Sequence, residues 1–145
     1  MIKSFRGLIA DGAQERVRLS TNDGLTGYKI NKFEIFPHKP GQESVESTVL
    51  LWKEKQDTVS TTAVDVDFNA PLLLAAACFH DSSSESNLNP LYVVFDNETF
   101  NQDIYVTHTD TNSAIAINYY IELEQVKLDL NEATVATLKD MRGRE

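Results

Sequence analysis

Residues 115–130 read Ile-Ala-Ile-Asn-Tyr-Tyr-Ile-Glu-Leu-Glu-Gln-Val-Lys-Leu-Asp-Leu. Ile117, Tyr119, Ile121 and Leu123 alternate with Asn118, Tyr120, Glu122 and Glu124. That period of two belongs to a strand with one apolar and one wet face. At Gln125 the phase slips, and Val126, Leu128 and Leu130 take over the apolar parity. A β-bulge or a change of sheet would produce such a slip. A strand this long needs backbone partners on both sides, so it is expected to be central.

The same alternation recurs upstream in shorter segments separated by turn residues. Strands are expected over 2–9, 15–20, 27–36, 47–54, 63–68, 91–96 and 103–109. The first has poor parity and reads as an edge strand. The second sets Val17 and Leu19 inward, with Arg16 and Arg18 outward. Within 27–36 the apolar parity changes, which predicts a twist or bulge near Lys32. Asp11-Gly12 and Asn22-Asp23-Gly24 are turn signals. Residues 97–102 read as a hairpin-like turn, and 81–90 as a Ser/Asn-rich loop.

Two segments read as helix. Over 69–79, Asn69 can cap, Pro71 falls in the first turn, and the rest is rich in Leu and Ala. This predicts a short buried helix with Cys78 as an inert internal thiol. Over 131–142, Asn131 can cap, Glu132 sits in the first turn, and Lys139 and Arg142 sit in the last. Val135, Leu138 and Met141 form its apolar stripe, and Gly143 suits the C-terminal cap. The expected fold is all-β: a jelly-roll-like β-sandwich of about eight strands, with a short internal helix and a C-terminal helix, as one domain over residues 1–145.

Composition narrows function. The longest apolar run, 71–79, is far short of the ~20 residues that cross a bilayer, so no membrane partner is expected. The N-terminus lacks the apolar core of a signal peptide, which points to synthesis in the cytosol. Cys78 is the only cysteine, which excludes an intramolecular disulfide and a cysteine-based metal site. The net charge is −9, unevenly spread: residues 1–55 carry 9 Lys/Arg against 7 Asp/Glu, and residues 56–145 carry 4 against 15. Between Lys55 and Lys127 there is no cation at all. Nucleic acid, which needs clustered cations, is therefore not an expected partner. The asymmetry suits complementary contacts, including contacts between copies of the chain.

The residues of chemistry are scattered. His38, His80 and His108 lie in separate segments, without the spacing that sets two imidazoles on one metal. No nucleophile elbow, P-loop or dinucleotide fingerprint is present. Asp65 with Asp67, and Glu122 with Glu124, each share a strand face and read as solvated surface rather than as an acid/base pair or a calcium site. No catalytic, cofactor or metal residue is assigned. Trp52, Tyr105, Tyr119 and Tyr120 could stack on sugar rings, but they alternate with core positions. Arg16, Arg18 and Trp52 are the candidate interface residues.

LYVVFDNETFNQDIYVTHTDT (91–111) and NYYIELEQVKL (118–128), with SFRGLIADG (4–12) and TLKDMRG (137–143), resemble small virion structural proteins of marine tailed bacteriophages. The resemblance implies assembly rather than chemistry: a non-enzymatic β-sandwich subunit in the virion, formed in the host cytoplasm and bound to capsid or other virion proteins. A head decoration protein is the leading expectation, as a homo-oligomer with a trimer favoured. A carbohydrate- or ligand-binding sandwich module and a tail or baseplate component are the alternatives.

Overall fold

The structure is a computed structural model that describes residues 1–21, 24–40, 44–81 and 91–142. Its described elements are β1 (Ile2–Ile9), β2 (Gln14–Val17), β3 (Thr26–Pro37), β4 (Val45–Trp52), β5 (Leu73–Asp81), β6 (Leu91–Phe95), β7 (Ile104–Asp110), β8 (Ile117–Lys127) and α1 (Leu130–Arg142). The alternating stretch forms β8, and it is central: β1 pairs on one side and β3 on the other, both antiparallel. The remaining strands make a second antiparallel sheet in the order β2-β7-β4-β5-β6.

The two sheets face each other across one core. Ile117, Ile121 and Leu123 of β8 meet Val49 and Leu51 of β4, with Ile104 and Val106 of β7. All of these are at most 1% exposed. The pairing is nested: β1 with β8, β2 with β7, and β4 with β5, as if one long hairpin had folded back on itself. The sixth strand departs from that nesting by extending the five-stranded sheet beyond β5.

Both phase changes in the sequence have structural causes. In β3 the register with β8 shifts between Ile30 and Lys32. The extra residue, Asn31, lets Tyr28 and Ile30 on one side of it and Phe33 and Ile35 on the other all turn inward. The slip at Gln125 is neither a bulge in β8 nor a change of sheet, because the ladder to β3 runs unbroken from Leu123 to Lys127. Val126 and Leu128 turn instead to a second apolar cluster, with Leu25 and with Ala133 and Ala136 of α1.

Other expectations are overturned. Residues 69–79 do not form a buried helix; Leu73–Asp81 is a strand with β4 and β6 on its two sides. A strand buried on both faces has a continuous apolar run and no alternation, which makes it indistinguishable from a helix by periodicity. Cys78 is correspondingly exposed, opposite Tyr92 of β6, and not an internal thiol. Residues 63–68 form no strand. They pass over the outer face of the large sheet, where Val64 packs with Leu50, Leu73 and Ala76 while Val66 and Phe68 stay exposed. Residues 97–102 are no hairpin turn, since β5 and β4 separate β6 from β7. The segment crosses between the sheets, and Phe100 exchanges two backbone bonds with Tyr28 at 2.8 and 2.9 Å.

In α1 the cap is Asp129 rather than Asn131: its carboxylate accepts the Glu132 N–H at 2.7 Å. The buried face is Ala133 and Ala136, whereas Val135 and Leu138 of the expected stripe are exposed. Gly143, with Asn22 and Asp23 of the expected turn, lies outside the described residues, as do 82–90.

Candidate interaction surface

The buried polar groups build the fold. Asp110, only 2% exposed, accepts N–H bonds from Glu46 (3.2 Å), Asn112 (3.0 Å), Ser113 (3.3 Å) and Ile115 (2.9 Å). Burial opposes its charge, but these donors outweigh burial and hold the carboxyl below the usual range. Asp103 behaves likewise. Burial raises its pKa, while the N–H groups of Ser20 (2.8 Å) and Leu19 (2.6 Å) and the Arg16 guanidinium bring it down to about 2. Tyr119 donates to Glu15 at 2.5 Å, and burial together with that carboxylate pushes its phenol upward.

His108 is fully buried, and desolvation lowers its pKa. Its Nδ1 lies 3.1 Å from the Ile9 carbonyl, which assigns the ring proton to Nδ1, while Nε2 meets no protein partner. Asp110 organises the turn that follows it, and the His108 ring nitrogen that makes a hydrogen bond faces the Ile9 carbonyl. Among the described residues, no group of three or more His, Cys, Asp or Glu is placed to hold a metal ion.

The three residues singled out from sequence are not gathered into one site. Arg16 donates from Nε to Asp103 at 2.6 Å, so its charge is engaged within the chain. Arg18 is exposed. Trp52 is half-buried over Leu50 and Leu73, and its indole N–H donates to Thr107 at 3.0 Å. Arg16 and Trp52 lie near each other on one row of the large sheet, through the pairs Arg16–Tyr105 and Tyr105–Trp52.

Surface apolarity is concentrated elsewhere. Among the described residues four strands end the two sheets, and three of them carry charge: Lys3 and Arg6 on β1, Glu15 and Arg16 on β2, and Lys29, Lys32 and Glu34 on β3. Charged side chains protect an edge from pairing with another chain. The remaining edge, β6, reads Leu-Tyr-Val-Val-Phe. Tyr92 is 67% exposed, and Leu91, Val94 and Phe95 are exposed with it. Phe68, 69% exposed, joins Val94, Phe95 and Leu73 around a notch of about 250 Å³. The sequence signal for this surface was a five-residue apolar run without charge; periodicity could not tell that the run ends a sheet.

Two shallow grooves add to the surface. One, of about 530 Å³, lies on the outer face of the small sheet, where Tyr120 stands between Arg6 and Glu34 and Asn118 between Leu8 and Phe36. The other, of about 510 Å³, runs beside α1 past Val126, Leu128 and Val135. Compared with protein-family models, with curated proteins and with solved structures, the chain matches none.

Proposed function

We propose that the protein is a non-enzymatic virion structural protein, a capsid-decorating subunit of a tailed phage, built on a jelly-roll sandwich. The observation that carries the reading is the uncharged, exposed β6 edge with Phe68 beside it. A row of open backbone groups flanked by apolar side chains is a surface made to be covered. The nested pairing of β1 with β8, β2 with β7 and β4 with β5 supports the jelly roll, an architecture used by capsid domains. In that scheme β6 would lie beside β3, and here it joins β5 instead, which leaves its outer edge available.

The charge distribution supports docking as well, with the cation-rich residues 1–55 suited to steer the subunit toward acidic neighbours. The decisive experiment is mass spectrometry of purified particles, followed by co-sedimentation of the protein with particles that lack it. Saturable binding is the expected result. Absence from particles and failure to co-sediment would overturn the reading.

A second reading rests on the groove of the small sheet. Tyr120 and Phe36, flanked by Arg6, Glu34 and Asn118, provide the aromatic face and polar rim that a sugar ring needs. A glycan screen that scores with the wild type and loses signal in Phe36→Ala would favour a ligand-binding module.

A further inference from the structure

We infer that two copies of the chain associate through β6, pairing antiparallel about a two-fold axis at Val93 and joining the two five-stranded sheets into one. The inference deepens the assembly reading and rests on it, by naming what covers the apolar edge.

The backbone is set for this. The Asp96 N–H donates to the Leu74 carbonyl at 3.1 Å, toward β5. Because strand groups alternate sides, Tyr92 and Val94 also direct theirs to β5, and Leu91, Val93 and Phe95 direct theirs to the open edge. An axis at Val93 sets the open groups of Leu91 opposite those of Phe95 in the second copy, and Val93 opposite itself. About six backbone bonds result.

The side chains are self-complementary in the same register. Tyr92 meets Val94 of the second copy on the outer face, and Leu91 meets Phe95 on the inner face, so every cross-strand neighbour is apolar. No like charges are brought opposite each other within the strand, which matters in a chain of net charge −9. The three other edges would each bring charged residues into such a contact.

The area is adequate. Leu91, Tyr92, Val94 and Phe95, with Phe68 beside them, expose roughly 500 Å² per copy, an upper bound on apolar burial that reaches the ~1,000 Å² total a specific contact needs, and the backbone bonds add to it. The contact is isologous and closes at two copies, in place of the trimer expected from sequence.

The test is sedimentation velocity on the full chain at low and high salt, with Val94→Lys, Tyr92→Glu and the double variant. The wild type should be a dimer that high salt does not loosen, because the contact is uncharged and salt screens the net repulsion. Val94→Lys should weaken association about tenfold or more, because the axis brings its two copies to diagonal positions on the same face and each ammonium replaces an apolar partner of Tyr92. The double variant should recover dimers, since the carboxylate introduced at position 92 of one copy would face the ammonium introduced at position 94 of the other. An unchanged far-ultraviolet circular dichroism spectrum of the single variants shows that the fold is intact, while their Tm should fall with the lost association.

A monomeric wild type, a trimer, a dimer that high salt dissolves, or a dimer indifferent to Val94→Lys would each overturn the inference. A monomer that still co-sediments with particles would overturn the two-fold contact and leave the assembly reading standing. A dimer absent from particles would do the reverse.

Discussion

The five-stranded sheet ends in two strands that are treated in opposite ways. At β2 the edge is clamped by side chains. Arg16 grips Asp103, whose carboxylate also takes the Leu19 and Ser20 N–H groups. Gln14 exchanges two bonds with the Gln56 backbone, at 3.0 and 2.8 Å, and Glu15 ties the strand to Tyr119 of the other sheet. At β6 the exposed residues are apolar on both faces and carry no charge or amide to form such a clamp. The β2 edge is completed by its own chain, whereas among the described residues no side-chain clamp closes the β6 edge. Changes near β2 and β7 should therefore cost stability, and changes in β6 should cost association.

The largest effect is expected at Asp110, at the far end of β7 from the clamp. Asp110→Ala leaves the N–H groups of Glu46, Asn112, Ser113 and Ile115 without their acceptor. A loss of about 3 kcal/mol should appear as a lower urea midpoint at constant slope. A loss below about 1 kcal/mol would show that water substitutes for the carboxylate.

Asp103→Asn should cost less, about 2 kcal/mol, because Arg16 is half-exposed and its attraction is screened. Asn also keeps one oxygen for the two backbone donors. The sign with pH follows from the lowered pKa. The carboxyl titrates at 3.8 when unfolded and at about 2 when folded, so its contribution is full above pH 3.8 and is lost as pH falls toward 2. The acid limb of a Tm–pH curve should be shallower in Asp103→Asn than in the wild type.

A smaller effect is expected from His108, whose folded pKa lies below the 6.5 of the unfolded chain. The unfolded state takes up the proton first, so stability is full above pH 6.5 and declines as pH drops below it. Comparing Tm at pH 8 and about pH 5.5 measures the slope, and His108→Gln, which keeps an N–H for the Ile9 carbonyl, should remove it.

The smallest change in folding is expected at the other end of the sheet. Val94→Lys, on an exposed face, should alter unfolding free energy by less than about 0.5 kcal/mol while weakening concentration-dependent association. A loss of several kcal/mol there would mean that β6 holds the fold as firmly as β2 does, and the contrast between the two edges would fail.

Much of this fold is legible in the residues alone. The alternation in β8 and β3, the parity change near Lys32 and the turn at Asp11-Gly12 are local signals, and the structure uses each of them. Gly12 adopts a φ of 76°, where a side chain would also strike Thr61, so the turn demands glycine twice over. The polar hubs were less legible. Asp103 and Asp110 look like any other carboxylates in an acidic chain, and their roles depend on N–H groups from segments as distant as Leu19 and Glu46. Arg16 is a candidate interface residue for its place in the cation-rich third of the chain, and local charge cannot show that a carboxylate 87 positions away engages it.

The all-β class, the central place of β8, the bulge in β3, the C-terminal helix and the separation of charge are all written in local residue pattern. Each follows from residue chemistry over a window of about fifteen positions or from simple counting, where pattern reports directly on which side is wet. That 73–81 is a strand, that 63–68 is a cover and that β6 ends a sheet follow from long-range pairing alone. Being an edge is a property of which distant segments pair, and an apolar run reads the same whether neighbours flank it on both sides or on one.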